Sequence, residues 1–204
     1  MGCGVDWLAF FAAMAVIELT PGPNMGWLTA LSAQQGRRVG FMAVSGITLG
    51  LAVQLAAAAT GFSAFVAGHD AVYQGLRWAG VIFMLYLAWE AFAQGGDTSP
   101  GKADGLDGFR HGFIANLLNP KALVFYIAVV GQFALCGDGS GPATGLVLAL
   151  GALHIAVSAI VHITLVLVGA GLGARIAGWR SLLSVRLGFA LMLVAIAVWI
   201  ALST

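Results

Sequence analysis

The chain alternates between long apolar stretches and short polar connections. A helix needs about 20 apolar residues to span the hydrocarbon core of a bilayer, and six stretches reach this length. They lie at about residues 5–32, 40–61, 73–93, 109–133, 139–174 and 182–202. The pattern therefore predicts an all-α membrane protein of six transmembrane helices, which form a single domain over residues 1–204.

Two short proline motifs interrupt the first and the fourth of these stretches. One runs from Thr20 to Asn24 (TPGPN) and the other from Asn119 to Lys121 (NPK). Proline lacks the backbone donor and clashes with the preceding turn, so each motif predicts a broken helix. In lipid the freed backbone groups must find partners, and a break is tolerated only inside protein or beside a water-filled cavity.

The two motifs divide the chain into similar halves. We expect one repeat over about residues 5–93, a polar linker over about 94–107 and a second repeat over about 108–203. Each repeat contains three helices. Because three is odd, the second repeat enters the membrane from the opposite face. The sequence thus predicts an inverted 3+3 repeat in which helices 1 and 4 are broken by proline, and such paired breaks are typical of a transport site.

Residue spacings support this repeat. Pro21 and Gln54 are 33 residues apart, and Pro120 and His154 are 34 apart. Helices 2 and 5 also carry stripes of small or polar residues at intervals of four, which place each stripe on one helix face. The stripes are Gly46, Gly50 and Gln54 on one helix and His154, Ser158 and His162 on the other.

The composition excludes a water-soluble fold. Of 204 residues, 60% are hydrophobic and 8% are charged, whereas soluble domains carry about 25% charged residues. The formal net charge is +1 and no basic run occurs, so we expect no nucleic-acid partner. Cys3 and Cys136 lack metal-binding spacing. Since no nucleophile elbow, phosphate loop or zinc-protease motif occurs, we expect neither a cofactor nor enzymatic activity.

Basic residues in the loops indicate the orientation, because Lys and Arg are in excess on the cytoplasmic side. Seven fall in one set of loops, and only Arg77 falls on the opposite side. The seven are Arg37, Arg38, Lys102, Arg110, Arg175, Arg180 and Arg186. We therefore expect both termini to lie outside.

Glu18 ends an apolar run three residues before Pro21. A charge at the bilayer centre costs on the order of several kcal/mol, so an intramembrane carboxyl must be neutral, paired or facing water. One interpretation is a site for proton coupling or for a substrate amine. The other is a buried carboxyl that bonds backbone groups freed by the break.

Lys121 is the counterpart of Glu18 in the second motif. It could balance Glu18, receive a substrate carboxylate or snorkel toward the inner face. Amide side chains near both motifs add donors and acceptors. The complete set of candidate transport residues is Glu18, Pro21, Gly22, Pro23, Asn24, Gln54, Asn116, Asn119, Pro120 and Lys121.

The histidines His154 and His162 lie on a charge-free helix. Together with Glu18 they could bind a metal. They are eight residues apart rather than three or four. This spacing favours polar packing, and no metal site is expected.

Four ordered motifs add a family resemblance. They are TPGPN from Thr20, QGRRxG from Gln35, YLxW from Tyr86 and FRxGFxxNLxNPKA from Phe109, followed by Gln132-Phe133. This set, which covers about residues 7–135, resembles the lysine exporter and homoserine/threonine resistance (LysE/RhtB) family. Glu18 departs from the uncharged residue expected there in many members.

The resemblance implies an exporter in the bacterial inner membrane, surrounded by lipid and driven by the proton gradient. The implied substrate is an amino acid or a close derivative, and a homo-oligomer is compatible with it. Two alternatives stay open from the residues themselves. One is an exporter of transition metals or other cations that uses Glu18, His154 and His162, and the other is a membrane scaffold without transport activity.

Overall fold

The computed structural model describes residues 5–20, 22–93, 105–135, 143–175 and 183–202. Within these ranges the regular elements are helices. Some residues named above lie outside the described ranges. They are Cys3, Pro21, Lys102, Cys136, Arg180 and residues 94–104 of the predicted linker.

Helices cover most of the six predicted stretches. Those of the first half are α1 (Trp7–Leu19), α2 (Pro23–Gln35), α3 (Arg37–Ala59), the short α4 (Phe62–Ala67) and α5 (Asp70–Ala93). Those of the second half are α6 (Gly105–Leu117), α7 (Pro120–Val124), a π-helical turn (Phe125–Val130), α8 (Gly131–Phe133), α9 (Thr144–Arg175) and α10 (Leu183–Leu202). The start of α6 falls slightly inside the predicted linker.

Three of the described helices, α3, α5 and α9, are long and apolar enough to cross a membrane. The pair α1 and α2 makes a fourth candidate if it is counted as one span bent by 50°. The prediction of an all-α membrane protein is confirmed. The six-span inverted repeat stays a prediction.

A proline starts the helix that follows each predicted break. α2 begins at Pro23 and α7 begins at Pro120. A proline suits the first helical turn, since its missing N–H would have no partner there and its fixed φ is already helical. Asn119 completes the start of α7, where its Oδ1 accepts a hydrogen bond from Lys121 N at 3.0 Å. The prolines therefore set where the second segment of each broken stretch begins.

Glycines let α3 and α6 pack backbone against backbone. A Cβ atom at Gly46 would lie 2.1 Å from the carbonyl oxygen of Phe109, and one at Gly112 would lie 2.3 Å from that of Ala43. Small residues have this role in membranes, where helix association depends on close packing instead of the hydrophobic effect. The contact holds the end of α6, including Asn116, in the protein interior.

Arg77 does not face solvent. It lies in α5 and is only 8% exposed. Its Nε donates to the Ile200 carbonyl at 3.3 Å, and its guanidinium also donates to the Ala201 carbonyl and, at 2.8 Å, to Gln74 Oε1. A cation is favourable at a helix C-terminus, where the last carbonyls lack donors within the helix. Arg77 thus ties α5 to the end of α10.

Replacing Gly46 with Ala should lower the stability by about 1–3 kcal/mol, because the new methyl group must displace the backbone of α6. Gly171→Ala is the matched control, since no atom lies within 4 Å of its added Cβ. Thermal unfolding in detergent, followed by tryptophan fluorescence, should show a lower midpoint for Gly46→Ala alone. Equal midpoints would contradict the close contact between α3 and α6.

Candidate functional site

A cavity with about 390 Å³ of empty space lies where the two chain breaks meet. The end of α1, the start of α2, the beginning of α7 and one face of α9 surround it. Six of the sequence candidates line it: Glu18, Gly22, Asn24, Asn116, Asn119 and Lys121. The fold therefore collects the polar residues of two distant motifs around one space, which we call the central cavity.

Glu18 is held by a histidine of α9. Its Oε1 lies 2.9 Å from His154 Nε2, and the two residues are 9% and 2% exposed. The other ring nitrogen, His154 Nδ1, lies 3.3 Å from the Tyr126 hydroxyl. With Nε2 donating to the carboxylate, Nδ1 of a neutral ring accepts from the tyrosine. The three side chains form a buried hydrogen-bond chain that ends at Glu18.

The π-helical turn fixes the orientation of this imidazole. Phe125 stacks on the His154 ring with 3.8 Å between ring centroids and 25° between planes. Tyr126, the next residue, meets the same ring edge to face at 5.4 Å and 84°. A π turn is rare and occurs often at functional sites. Here it places two successive aromatic residues around one histidine.

Lys121 reaches across to the first break. Its Nζ donates to the Thr20 carbonyl at 2.6 Å. A Cβ atom at Gly22 would lie 3.1 Å from Lys121 Cδ, so the glycine leaves room for the lysine stem. Thr20 caps the C-terminus of α1, where a cation is favourable. Lys121 therefore bonds backbone, whereas Glu18 bonds His154.

Amide side chains form a second polar group. Asn24 Nδ2 donates to Asn116 Oδ1 at 3.0 Å, and Gln54 Nε2 donates to the Asn116 carbonyl at 3.1 Å. Three buried amide atoms have no hydrogen-bond partner among the described residues: Asn24 Oδ1, Asn116 Nδ2 and Gln54 Oε1. Buried polar atoms are normally satisfied by protein or water. Asn24 and Asn116 line the central cavity, whereas these unpaired atoms are themselves buried.

The remaining candidates have supporting positions. Pro23 is buried and begins α2, and Pro120 begins α7. Gln54 contributes through the hydrogen bond that its Nε2 donates to the Asn116 carbonyl. Pro21 lies outside the described residues.

The polar stripe of α9 lines the central cavity, and its residues are buried against neighbouring elements, as the stacking of Phe125 on His154 illustrates. Ser158 Oγ lies 3.4 Å from His162 Nδ1, and both residues are buried. Among the described residues no group of three or more His, Cys, Asp or Glu could hold a metal ion. His154 instead serves as the partner of Glu18.

Comparisons with known proteins bear on this site. A family model described as LysE type translocator matches residues 15–204. The chain belongs to the LysE family. This confirms the resemblance drawn from the motifs, and the matched range contains both proline breaks. A LysE translocator with a polar cavity between broken helices is a membrane transport protein.

Relatives of this LysE translocator include two proteins named as efflux proteins. An uncharacterized membrane protein of Pseudomonas aeruginosa is 29% identical over 155 residues, which cover 71% of each chain. A leucine efflux protein of Klebsiella pneumoniae is 25% identical over 134 residues, which cover 63% of each chain. A cysteine/O-acetylserine efflux protein of Escherichia coli is 31% identical over 132 residues, which cover 62% of the translocator and 65% of the relative. The matches thus span a little under two thirds of the two efflux proteins. No solved structure matches.

Sequence reasoning missed the hydrogen-bond chain behind Glu18. The sequence shows the stripe that contains His154, but it does not show that Tyr126 contacts His154. Tyr126 follows Lys121 by five residues, and nothing in its neighbourhood distinguishes it from an ordinary aromatic core residue. The signal that could have found the pair is the presence of a polar residue, His154, in another apolar stretch, since a buried carboxyl such as that of Glu18 requires a polar partner.

Replacing His154 with Leu should destabilise the translocator by about 1–3 kcal/mol, because it leaves the buried Glu18 carboxyl without its partner. The double variant Glu18→Leu/His154→Leu removes both groups and should recover most of this loss. Unfolding midpoints of the wild type, both single variants and the double variant measure the coupling. If the two substitutions changed the unfolding midpoint additively, the hydrogen bond between Glu18 and His154 would be contradicted.

Proposed function

We propose that this LysE family translocator exports amino acids or close derivatives from the cytoplasm across the bacterial inner membrane. One observation carries the proposal: a carboxylate and an ammonium, those of Glu18 and Lys121, line the same cavity at the two chain breaks. A free amino acid carries the complementary ammonium and carboxylate on one carbon atom. Charge-assisted hydrogen bonds of both signs would therefore orient it.

The other walls of the central cavity support a small substrate. Asn24 and Asn116 add amide groups to the same lining as the two charges. Ile17, Leu51 and Phe125 add apolar surface for a side chain.

The names of the relatives support the same substrate class. One is a leucine efflux protein, and another is a cysteine/O-acetylserine efflux protein. The apolar walls suit leucine, while the amide side chains in the lining suit a polar derivative. We therefore place leucine, cysteine and O-acetylserine first among the candidates.

Export measurements test this function. Cells with and without the protein are loaded with labelled leucine, cysteine, O-acetylserine, lysine or zinc, and efflux is followed. Protein-dependent efflux of at least one amino acid is the expected result. Efflux of zinc alone would favour the cation exporter built on Glu18, His154 and His162. Absence of any efflux from cells that contain the folded protein would favour the scaffold.

The proposed architecture is the six-span inverted repeat. Two helix pairings support it: α3 packs against α9, and α5 packs against α10. Each pair joins helices that are equivalent in the two repeats, as a twofold axis between them requires. α10 has 20 residues, which at 1.5 Å per residue gives about 30 Å, the thickness of the hydrocarbon core. The broken stretch from α6 to α8 would provide the other additional span.

Glu18 is the residue we propose for proton coupling. An arriving substrate ammonium favours the ionised carboxylate, and departure of the substrate favours proton uptake. The buried bond to His154 gives the carboxyl a defined partner when no substrate is present. Alternation between ammonium and proton at one carboxyl is sufficient to couple export to a proton gradient.

The variant Glu18→Gln keeps the shape of the side chain and removes its titration. We expect folded protein in the membrane whose export no longer responds to an imposed pH gradient. Asp70→Asn, at an exposed position in the first turn of α5, is the control and should behave like the wild type. Export rates from proteoliposomes with and without the gradient provide the measurement. A wild-type response from Glu18→Gln would leave Glu18 a structural carboxyl.

Both termini should face outside, as the distribution of Lys and Arg predicts. A reporter enzyme that is active only outside the cytoplasm, fused after Thr204, should therefore be active. The same reporter inserted in the loop between α5 and α6 should be inactive. The reverse pattern would overturn the orientation.

A further inference from the structure

His162 is a polar residue of the central cavity that takes part neither in the Glu18–His154 bond nor in the proposed charge contacts. It lines the cavity together with Ser158, and the two residues are 6% and 2% exposed. His162 Nδ1 lies 3.4 Å from Ser158 Oγ. Among the described residues the other ring nitrogen, Nε2, has no hydrogen-bond partner. His162 therefore brings an unpaired ring nitrogen to the lining.

This nitrogen differs from the unpaired amide atoms of the same cavity. The fully enclosed, unpaired side-chain atoms of the described residues belong to Asn24, Ser32, Gln54 and Asn116, and Nε2 of His162 is not one of them. Since His162 lines the cavity, Nε2 is the ring atom that can bond the contents of the cavity.

The Ser158 contact leaves Nε2 one hydrogen bond to make. A neutral imidazole has one donor nitrogen and one acceptor nitrogen. When the serine hydroxyl donates to Nδ1, Nε2 carries the proton and donates, and in the other tautomer Nε2 accepts. A polar group held away from water without a partner costs free energy. In either tautomer His162 is therefore more stable when a polar group in the cavity bonds it.

The His162 ring lies about one helical turn from the Glu18–His154 pair. Ser158 follows His154 by four residues, which correspond to about 6 Å along α9. Side chains of a helix tilt toward its N-terminus, and the contact with Ser158 Oγ holds the His162 ring at the level of that serine. A distance of this size is comparable with the length of a small amino acid. A substrate whose ammonium meets Glu18 can thus extend its side chain to His162.

Glu18 and Lys121 cannot distinguish one amino acid from another, because every amino acid carries the ammonium and the carboxylate that they would bind. Selection depends on the residues that meet the substrate's side chain. We propose that His162, positioned by Ser158, is the specificity residue of the central cavity and hydrogen-bonds an uncharged polar side chain through Nε2. This assignment rests on the export function proposed above. The preferred substrates are then amino acids with an ester, hydroxyl or thiol group, and O-acetylserine is favoured over leucine.

The preference follows from the cost of an unpaired group. An ester carbonyl of O-acetylserine accepts from Nε2–H, whereas the side chain of leucine fills the same space and leaves the nitrogen without a partner. A site built to hydrogen-bond a substrate group rejects an analogue that lacks it, because the polar group of the site is then left unpaired. The apolar residues Ile17, Leu51 and Phe125 of the lining contact the methyl or methylene groups of either substrate equally well.

Efflux of two substrates from the same vesicles tests this assignment. Proteoliposomes that contain the purified protein are loaded with equal concentrations of O-acetylserine and leucine, which carry different radioactive labels, and the ratio of the two efflux rates is measured. Because both substrates leave the same vesicles, the ratio does not depend on the amount of active protein. The wild type should release O-acetylserine about tenfold faster than leucine, the effect of one buried hydrogen bond. Equal rates, or faster efflux of leucine, would overturn the proposal.

Variants of His162 identify the residue responsible for the ratio. His162→Leu removes the hydrogen-bonding nitrogen and should lower the ratio about tenfold. His162→Gln retains a side chain that can bond the substrate and should keep the ratio within about threefold of the wild type. His69→Leu is the matched control, because it makes the same substitution at an exposed histidine between α4 and α5, and it should leave the ratio unchanged.

The outcomes separate a specificity role from a structural one. If His162→Leu lowered both efflux rates and left their ratio unchanged, His162 would only support the fold and the proposal would be overturned. The wild-type ratio decides against the proposal independently, even where a variant does not fold. Failure of the export function itself is distinguishable, since the wild type would then release neither substrate.

Discussion

A helix that breaks inside a membrane leaves backbone groups that lipid cannot satisfy, and the rest of this structure depends on how the chain meets that constraint. The second break supplies a donor to the first. Lys121 comes from the second break and donates to the Thr20 carbonyl at the first. Prolines begin the helices that follow, where no intrahelical donor is needed. A polar cavity results between the breaks, because the groups that satisfy the backbone are themselves charged or polar.

At three helix C-termini, a side chain from another helix donates to the terminal carbonyls. Lys121 caps α1, Gln54 donates to the Asn116 and Leu117 carbonyls at the end of α6, and Arg77 caps α10. Each capping side chain comes from a different helix, so every cap is also a tertiary contact. In water these carbonyls could bond solvent, but in lipid the protein must supply the donor. Close packing by glycine brings α3 near enough to α6 for Gln54 to reach them.

The sequence predicts much of this fold for local reasons. Apolar length and polar connections place the helices, and prolines place the starts of α2 and α7. It also identifies Glu18 and Lys121, since an isolated charge in an apolar stretch requires a partner or water. The partners themselves are not predictable from spacing. Glu18 and His154 are 136 positions apart, and their contact depends on how α1 and α9 pack.

One correction illustrates the same limit. Arg77 counts as a loop charge when only its flanking stretches are considered, but packing of α5 on α10 buries it against backbone carbonyls. Local sequence patterns predict helices and single unusual residues. Contacts between residues of different helices can be identified only from the tertiary structure.

The last turn of α1 combines these constraints in one short segment. His154 holds it through Glu18, and Lys121 holds it through the Thr20 carbonyl two residues later. A ligand with only an ammonium would compete for the first contact, and one with only a carboxylate for the second. A zwitterion competes for both, so its binding would release both tethers of this turn together. A ligand shifts a conformational equilibrium only by its differential affinity for the two states. Under the proposed function, the arrangement of the two tethers would therefore favour an amino acid over a simple amine as the ligand that moves the breaks apart.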